Sequence, residues 1–214
     1  LSIKRQLTNF LNIIKKFNLK LRADKCIWFT RSIEFLGVVV DKNGICPSSK
    51  YKNKILQFSR PRNATEVMKY LGCVNWLHKW LPHISKYTMH ISKLRQKSTP
   101  FIWTNECEKE FQMVQKLVQH ANVLVHPDLS KEFHLYCDAS EHAIGAMLAQ
   151  KDKKGEMRAV QFCSKMLSST QINWHVSEKE IYSIVYFIEK FRRFLLAKTF
   201  HVYSDHLNLI EMFN

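Results

Sequence analysis

The spacing of apolar residues predicts an α+β beginning. Residues 1 to 20 carry apolar side chains at helical spacing, and residues 19 to 29 then alternate like a strand. Two apolar strands follow on either side of Asp41 to Gly44, where Asn43 and Gly44 favour the positive φ of a tight hairpin turn. The apolar positions of the first helix are Leu7, Phe10, Leu11, Ile14 and Phe17.

A helical stretch is predicted for residues 62 to 121. Asn63 with Glu66 three residues later has the form of a helix cap, and Pro82 should end the helix that it begins. Further helices are expected from 84 to 94 and from 105 to 120. The last of these has one apolar stripe, which consists of Phe111, Val114, Leu117, Val118 and Ala121.

The pattern then changes to strands, and we place a domain boundary near Pro127. The predicted order is β, β, β, α, β, α, with a turn at Lys154 and Gly155 and a final helix at the end of the chain. The strands are 133–138, 143–150, 157–164 and 199–206, and the long helix is 177–197. We predict that the two parts pack against each other, because no flexible linker joins them.

Charge is distributed unevenly along the chain. Residues 1–127 hold 22 basic and 7 acidic side chains, whereas residues 128–214 hold 11 of each, so the net charge of +15 belongs to the first part. Interleaved aromatics such as Trp28 and Trp76 suit binding along a phosphate backbone. A solvated basic surface is the plainer alternative.

Other features of the composition narrow the class of protein. The chain lacks an initiator Met, and we expect it to be a fragment. Its six cysteines form no CxxC pair, which argues against a zinc module or a disulfide framework. No apolar run approaches the roughly 20 residues of a membrane helix, so we expect an intracellular protein without a membrane partner.

Three carboxylates are candidates for chemistry. Asp138 and Asp205 each end a predicted strand, and they open into one crevice if those strands are parallel neighbours. At ~100° per residue, Glu180 shares the apolar stripe of the long helix, while Glu178 falls nearer the solvent side. Asp138 and Asp205 could instead be ordinary strand-end or helix-capping residues.

Converging carboxylates repel one another and are normally held by divalent cations, and oxygen ligands favour Mg²⁺ or Mn²⁺ over zinc. Two such ions ~4 Å apart could activate water in phosphodiester cleavage. A serine hydrolase triad is a weaker option, because no GxSxG motif surrounds a serine. The residues that it would draw on are Ser140, His142, His175 and His206.

Several strings together resemble the Pol polyproteins of gypsy-type LTR retrotransposons. "YCDASEHAIGAMLAQ", "WHVSEKEIYSIVYFIEKFRRFL" and "VYSDH" resemble the RNase H segment, and "FLGVVVDKNGI", "KYLGCVNWLHKWLPHIS" and "PFIWTNECEKEF" resemble the reverse transcriptase segments that precede it. The resemblance implies the end of a palm in 1–60, a helical thumb and connection in 61–127, and an RNase H-like mixed sheet flanked by helices in 128–214.

The resemblance also implies roles for residues. Asp138, Glu180 and Asp205 match the family's metal-binding catalytic residues, which use two Mg²⁺ ions or Mn²⁺. The hairpin matches the primer grip, in which Phe35, Leu36 and Gly37 would support the primer strand. The following helix matches the thumb helix that tracks the minor groove. Its matching face is Met68, Gly72 and Trp76, although Met68 and Trp76 could equally be core side chains.

Two departures from the family limit what the chain can do alone. The polymerase Tyr-x-Asp-Asp strand should precede Leu1, and a fourth metal-site aspartate should follow Asn214. We therefore expect no DNA synthesis and weak or no RNase H activity from this piece. In the full protein, a palm upstream would polymerise DNA while the RNase H part hydrolyses the RNA strand of a template-primer.

Two other hypotheses remain open. One is a non-catalytic nucleic-acid-binding or assembly module from a domesticated or defective element, and the other is an integrase or nuclease of another RNase H-like type. The expected partner is an RNA/DNA hybrid or primer-template, and a homodimer or binding to other Pol or Gag products is left open. The expected location is cytoplasmic, in virus-like particles, or nuclear.

Overall fold

The structure, a computed structural model, describes residues 3–96, 100–196 and 198–205. The chain divides into two units, Leu1–Arg31 and Ser32–Asn214. Both predicted domain boundaries, after residues 60 and 127, lie inside the second unit, and they stay predictions.

The first unit contains one long helix. Helix α1 spans Ile3–Lys16, as the apolar spacing predicts, and none of its residues is buried. The strand predicted for 19–29 is wrong: Ala23–Lys25 form a 3₁₀ turn, and Arg22 is paired with Asp24 at 2.6 Å. Alternation predicts a strand only where another strand can pair with it, and within the described part of this unit none does.

The second unit begins with a three-stranded antiparallel meander where two strands were predicted. The predicted turn is confirmed: the Asp41 carboxylate accepts from the Asn43 and Gly44 amides, although of these two only Gly44 has a positive φ, +145°. The unpredicted turn has Leu36 at +50° and Gly37 at +80°, the pattern of a type I′ turn. The strands are β1 Ser32–Phe35, β2 Val38–Asp41 and β3 Gly44–Pro47.

A group of helices follows the meander. The predicted cap is present, since Asn63 accepts from the Glu66 amide at 2.9 Å and the Glu66 carboxylate accepts from the Arg62 amide at 2.8 Å. The capped helix ends before Pro82, because His78–Trp80 tighten into a 3₁₀ turn. The helices are α2 Ser49–Leu56, α3 Ala64–Trp76, α4 Met89–Lys93 and α5 Asn105–Gln119.

Two of these helices differ from the prediction. Helix α2 was not predicted, because its sequence is mostly polar and only Ile55 is buried. The helix expected over 84–94 is instead a 3₁₀ turn, Lys86–Thr88, followed by α4. Helix α5 is confirmed with its stripe, and the core that it faces includes Tyr70, Leu77 and Trp80.

The remaining strands form a mixed sheet in the order β6-β5-β4-β7. Strands β4 and β7 are parallel, and the other pairs are antiparallel. The predicted α+β fold with a mixed sheet flanked by helices is confirmed. The strands are β4 Phe133–Ala139, β5 Ala143–Lys151, β6 Met157–Met166 and β7 Phe200–Tyr203.

One long helix covers a face of this sheet. Helix α7, Val176–Lys190, packs on β4 and β5 over a core that includes Leu135, Leu148 and Phe187. Short helices flank it, α6 at Ser169–Ile172 and α8 at Arg192–Leu195, so the predicted 177–197 helix is interrupted at Phe191. The predicted final helix lies outside the described residues. Among the described residues, no helix is both long and apolar enough to cross a bilayer.

Candidate active site

Parallel pairing of two strands brings two aspartates together. Strands β4 and β7 pair with Tyr136 opposite Tyr203. Asp138 and Asp205 each lie two residues after one of these tyrosines. Side chains two apart on a strand share a face, so the predicted crevice at the carboxyl ends of the strands follows from this register. Both aspartates are exposed.

Helix α7 contributes the third carboxylate. Its first turn is fixed by Glu178, whose carboxylate accepts from the His175 amide at 2.8 Å, and this leaves Glu178 exposed at the surface. Glu180 lies on the buried face with Ser183 and Phe187, and only 3% of it is exposed. The helical-wheel choice of Glu180 over Glu178 agrees with this placement.

The three carboxylates converge. Oxygen atoms from Asp138, Glu180 and Asp205 lie within 4.8 Å of one another. Two donors hold Glu180 in place: the Ala139 amide donates to its Oε1 at 3.2 Å, and the Ser204 hydroxyl donates to its Oε2 at 3.3 Å. Ala139 directly follows Asp138 in β4, so the backbone that carries Asp138 also orients the Glu180 carboxylate.

The electrostatics of the cluster are unfavourable without a cation. Burial raises the pKa of Glu180, and the neighbouring Asp205 and Asp138 charges raise this pKa further. No lysine or arginine among the described residues forms an ion pair with the three carboxylates. Three oxygen donors beside an open cleft, two of them exposed, are a donor set that fits Mg²⁺ or Mn²⁺.

Comparison with known proteins identifies a domain and relatives of the chain. Residues 103–202 match the model of the RNase H-like domain found in reverse transcriptase. The Pol polyprotein from transposon 412 of Drosophila melanogaster is 31% identical over 98% of this chain, and the Tf2-3 polyprotein of Schizosaccharomyces pombe is 30% identical over 96%. The chain thus contains an RNase H-like domain of the kind found in reverse transcriptase, and its relatives are transposon Pol polyproteins. It spans 17% and 16% of the lengths of these two relatives, and the gypsy subtype stays a prediction.

Solved structures share the fold of this chain. A foamy viral protease-reverse transcriptase in complex with an RNA/DNA hybrid has a TM-score of 0.80 and 18% identity over 99% of the chain, which is 29% of that structure's chain. The same viral protein in complex with dsDNA has a TM-score of 0.81 over 99% of the chain and 45% of its own. At this level of identity the likeness concerns the fold alone.

The residues predicted to resemble a primer grip lie at the tip of a hairpin. Phe35 and Leu36 are 63% and 77% exposed, and Leu36 and Gly37 form the turn between β1 and β2. A Cβ on Gly37 would lie 2.3 Å from the ring of Tyr51, so this glycine is required both by its positive φ and by its neighbour. The turn presents two apolar side chains away from the protein.

The three residues predicted on the face of the thumb-like helix differ in environment. Met68 is 53% exposed, and a Cβ on Gly72 would meet nothing within 4 Å, so this part of α3 faces an open groove that Arg95 also lines. Trp76 is half-buried and stacks on Tyr51 with ring centroids 4.2 Å apart. Trp76 therefore has the packing of a core side chain, while Met68 does not.

The residues of the alternative serine site do not assemble. The Ser140 hydroxyl donates to the Ala143 carbonyl at 2.7 Å and closes the turn between β4 and β5. His175 begins α7, His142 lies beside Glu141, and His206 is outside the described residues. Among the described histidines, none is hydrogen-bonded to Ser140.

Sequence reasoning missed one residue beside the carboxylates. His83, from the loop after α3, has its Nδ1 3.6 Å from Oδ2 of Asp138. Its neighbours along the chain, Pro82 and Ile84, gave no sign of this, because the contact joins residues 55 positions apart in different structural elements. Only the packing of the loop on the sheet shows it.

Proposed function

We propose that this chain is part of a retroelement reverse transcriptase and RNase H, and that its carboxylate cluster hydrolyses the RNA strand of an RNA/DNA hybrid. The observation that carries the proposal is the convergence of Asp138, Glu180 and Asp205 within 4.8 Å in an RNase H-like domain. In a nuclease, three clustered carboxylates can bind divalent cations, whereas a purely structural sheet would gain nothing from placing them together.

The three carboxylates would hold two Mg²⁺ ions, or Mn²⁺ in their place. When bound, such ions supply an activated water and stabilise the leaving oxygen in phosphodiester cleavage. The protein's own contribution is rigidity: Glu180 is buried and is held by Ala139 and Ser204, so its carboxylate keeps its orientation before any ligand arrives. Preorganised ligands avoid reorganisation during the reaction.

Binding of the hybrid is assigned to the basic first part. Its 22 basic side chains against 7 acidic ones favour a polyanion, and the groove beside Met68 and Gly72 offers an open helix face with Arg95 nearby. The exposed Phe35 and Leu36 would support a primer strand. The foamy viral proteins of the same fold were solved with an RNA/DNA hybrid and with dsDNA, which supports this class of ligand.

DNA polymerisation would belong to a palm elsewhere in the polyprotein, since the relatives are about six times longer than this chain. A cytoplasmic virus-like particle, with access to the nucleus, is the location that we propose for such a protein. Self-association and contacts with other Pol or Gag products are further proposals for which the oligomeric state in solution is the measurement.

Cleavage of a labelled RNA/DNA hybrid with Mg²⁺ or Mn²⁺ tests the proposal. The experiment compares this chain, a longer form of the polyprotein that continues past Asn214, and the longer form with Asp138→Asn. We expect cleavage by the longer form and its loss in the variant. Tight binding of the hybrid without cleavage in any form would reject the nuclease and favour a non-catalytic binding module.

A further inference from the structure

His83 reaches the carboxylate cluster from the helical segment upstream of the sheet. It lies in the loop between the two 3₁₀ turns that follow α3, and it lines the cleft that contains Asp138 and Asp205. It also lines the adjoining pocket with Lys86 and Ser140. His83 thus forms the boundary between the carboxylate cleft and its neighbour.

A glycine makes room for the imidazole. A Cβ on Gly145, in β5, would lie 2.7 Å from Nδ1 of His83 and 3.2 Å from its Cε1. Contacts under about 3.0 Å cannot be kept, so any larger residue at 145 would displace the ring. Gly145 is paired with Asp138 across the sheet, and the imidazole therefore lies over the rung that carries the aspartate.

The loop that carries His83 is fixed on the sheet. The Ser85 amide donates to the Ser164 hydroxyl oxygen at 3.0 Å, and the Ser164 hydroxyl donates to Oγ of Ser85 at 2.9 Å. His83 itself has a φ of +50°, a left-handed conformation that a histidine keeps only where its surroundings hold it. Both features fix the direction of the side chain.

Asp138 needs such a neighbour. Glu180 has two hydrogen-bond donors, whereas the Asp138 side chain has its ion-pair contact, among the residues that the structure describes, with His83. Carboxylates that bind metal ions are themselves held by outer partners, and the loss of such a partner weakens metal binding or activity. His83 and Asp138 are both about half exposed, at 46% and 52%, so the pair borders the open cleft.

We propose that His83 is a positioning residue for Asp138, so that the helical segment completes the cation site of the RNase H-like domain. The inference rests on the proposed nuclease function, and it adds that the site spans two parts of the chain. His83 acts on the carboxylate, and no contact with substrate is needed.

The test measures Mg²⁺ binding by isothermal titration calorimetry in this chain, and hybrid cleavage in the longer form. For His83→Ala we expect both Mg²⁺ affinity and kcat to fall by about 10- to 100-fold, with KM for the hybrid unchanged. His83→Asn should restore most of the loss, because its amide nitrogen replaces Nδ1 and asparagine tolerates a positive φ. His120→Ala, at the exposed end of α5, is the matched control.

Gly145→Ala supplies an independent perturbation, because it pushes the imidazole away without changing either partner. It should weaken Mg²⁺ binding when His83 is present, and it should have little further effect in the His83→Ala background. Unchanged Mg²⁺ affinity in both single variants would overturn the proposal, as would a Gly145→Ala effect that is the same with and without His83. If His83→Ala does not fold, the Asn and Gly145 variants decide.

A failure of the nuclease function itself gives a different result. No cleavage by the unsubstituted longer form would reject the proposed function, while calorimetry with Mg²⁺ alone still tests His83.

Discussion

Individual residues of the site show how a sheet edge can hold like charges together. Glu180 is buried beside two aspartates, which raises its pKa, and it is kept there by the Ala139 amide and the Ser204 hydroxyl. In the absence of a cation this arrangement opposes folding, because like charges repel at short range. A cluster that destabilises the folded state without a cation and stabilises it with one is expected at a functional site.

Glu180→Gln should have opposite effects on the stability of the empty site and on hybrid cleavage. Removing the charge should abolish cleavage, by at least about 100-fold. In EDTA it should also raise the Tm by about 2–4 °C for each kcal/mol of relieved repulsion. The hybrid cleavage assay checks the first effect. Calorimetry with and without Mg²⁺ checks the second, since Mg²⁺ should raise the Tm of the unsubstituted chain and not that of the variant.

Glu189→Gln is the control on the same helix, where Glu189 is exposed and forms an ion pair with Arg192. A variant at Glu180 that melts lower in EDTA than the unsubstituted chain would contradict the prediction.

At the scale of elements, periodicity and caps predicted what depends on local sequence. The Asn63 cap, the stripe of α5 and the strands of the mixed sheet all follow from patterns within a few residues, and the choice of Glu180 follows from the period of one helix. The short, polar helix α2 has no such pattern, and the alternation at 19–29 had no partner strand. His83 could not be predicted, because its place depends on a loop docking on a distant strand.

The exposed face of α3 offers a test at this scale. Gly72→Leu should raise the Tm slightly, since leucine favours a helix over glycine by about 1 kcal/mol and the site is open. If this face binds nucleic acid, the same change should weaken hybrid binding by about 10-fold, equivalent to ~1.4 kcal/mol. Fluorescence anisotropy with a labelled hybrid measures it.

Thr65→Leu, exposed near the start of the same helix, is the matched variant. Equal binding by both variants and the unsubstituted chain would show that the α3 face is not an interface.

For the whole molecule, charge and chemistry are separated along the chain. The basic excess lies in residues 1–127, and the carboxylate cluster lies in the electrically neutral part that follows. A polyanion would thus be gripped by the first part, and the second part would meet it through a site that repels phosphate until cations bind. Binding and cleavage should therefore respond differently to salt.

Salt dependence of hybrid binding tests this separation. Arg95→Gln, beside the α3 groove, should reduce the slope of log K against log salt by about 1, because one phosphate contact is lost. Lys153→Gln, in the turn after β5, should leave the slope unchanged. Titrations from roughly 50 to 200 mM salt give the slope. An equal slope in all three proteins would place the binding surface elsewhere.

The parallel register of β4 and β7 also determines which deletions and insertions the carboxylate cluster can tolerate. Asp205 faces Asp138 only because Tyr203 pairs with Tyr136, and the side-chain period of a strand is two. Loss of a single residue between Phe200 and Asp205 would turn the aspartate to the opposite face, although all three carboxylates of the cluster would still be present in the sequence. An added residue in the turn between β5 and β6 would leave this pairing untouched. Whether the carboxylate cluster is intact therefore depends on the spacing of its residues in the sequence as much as on their identity.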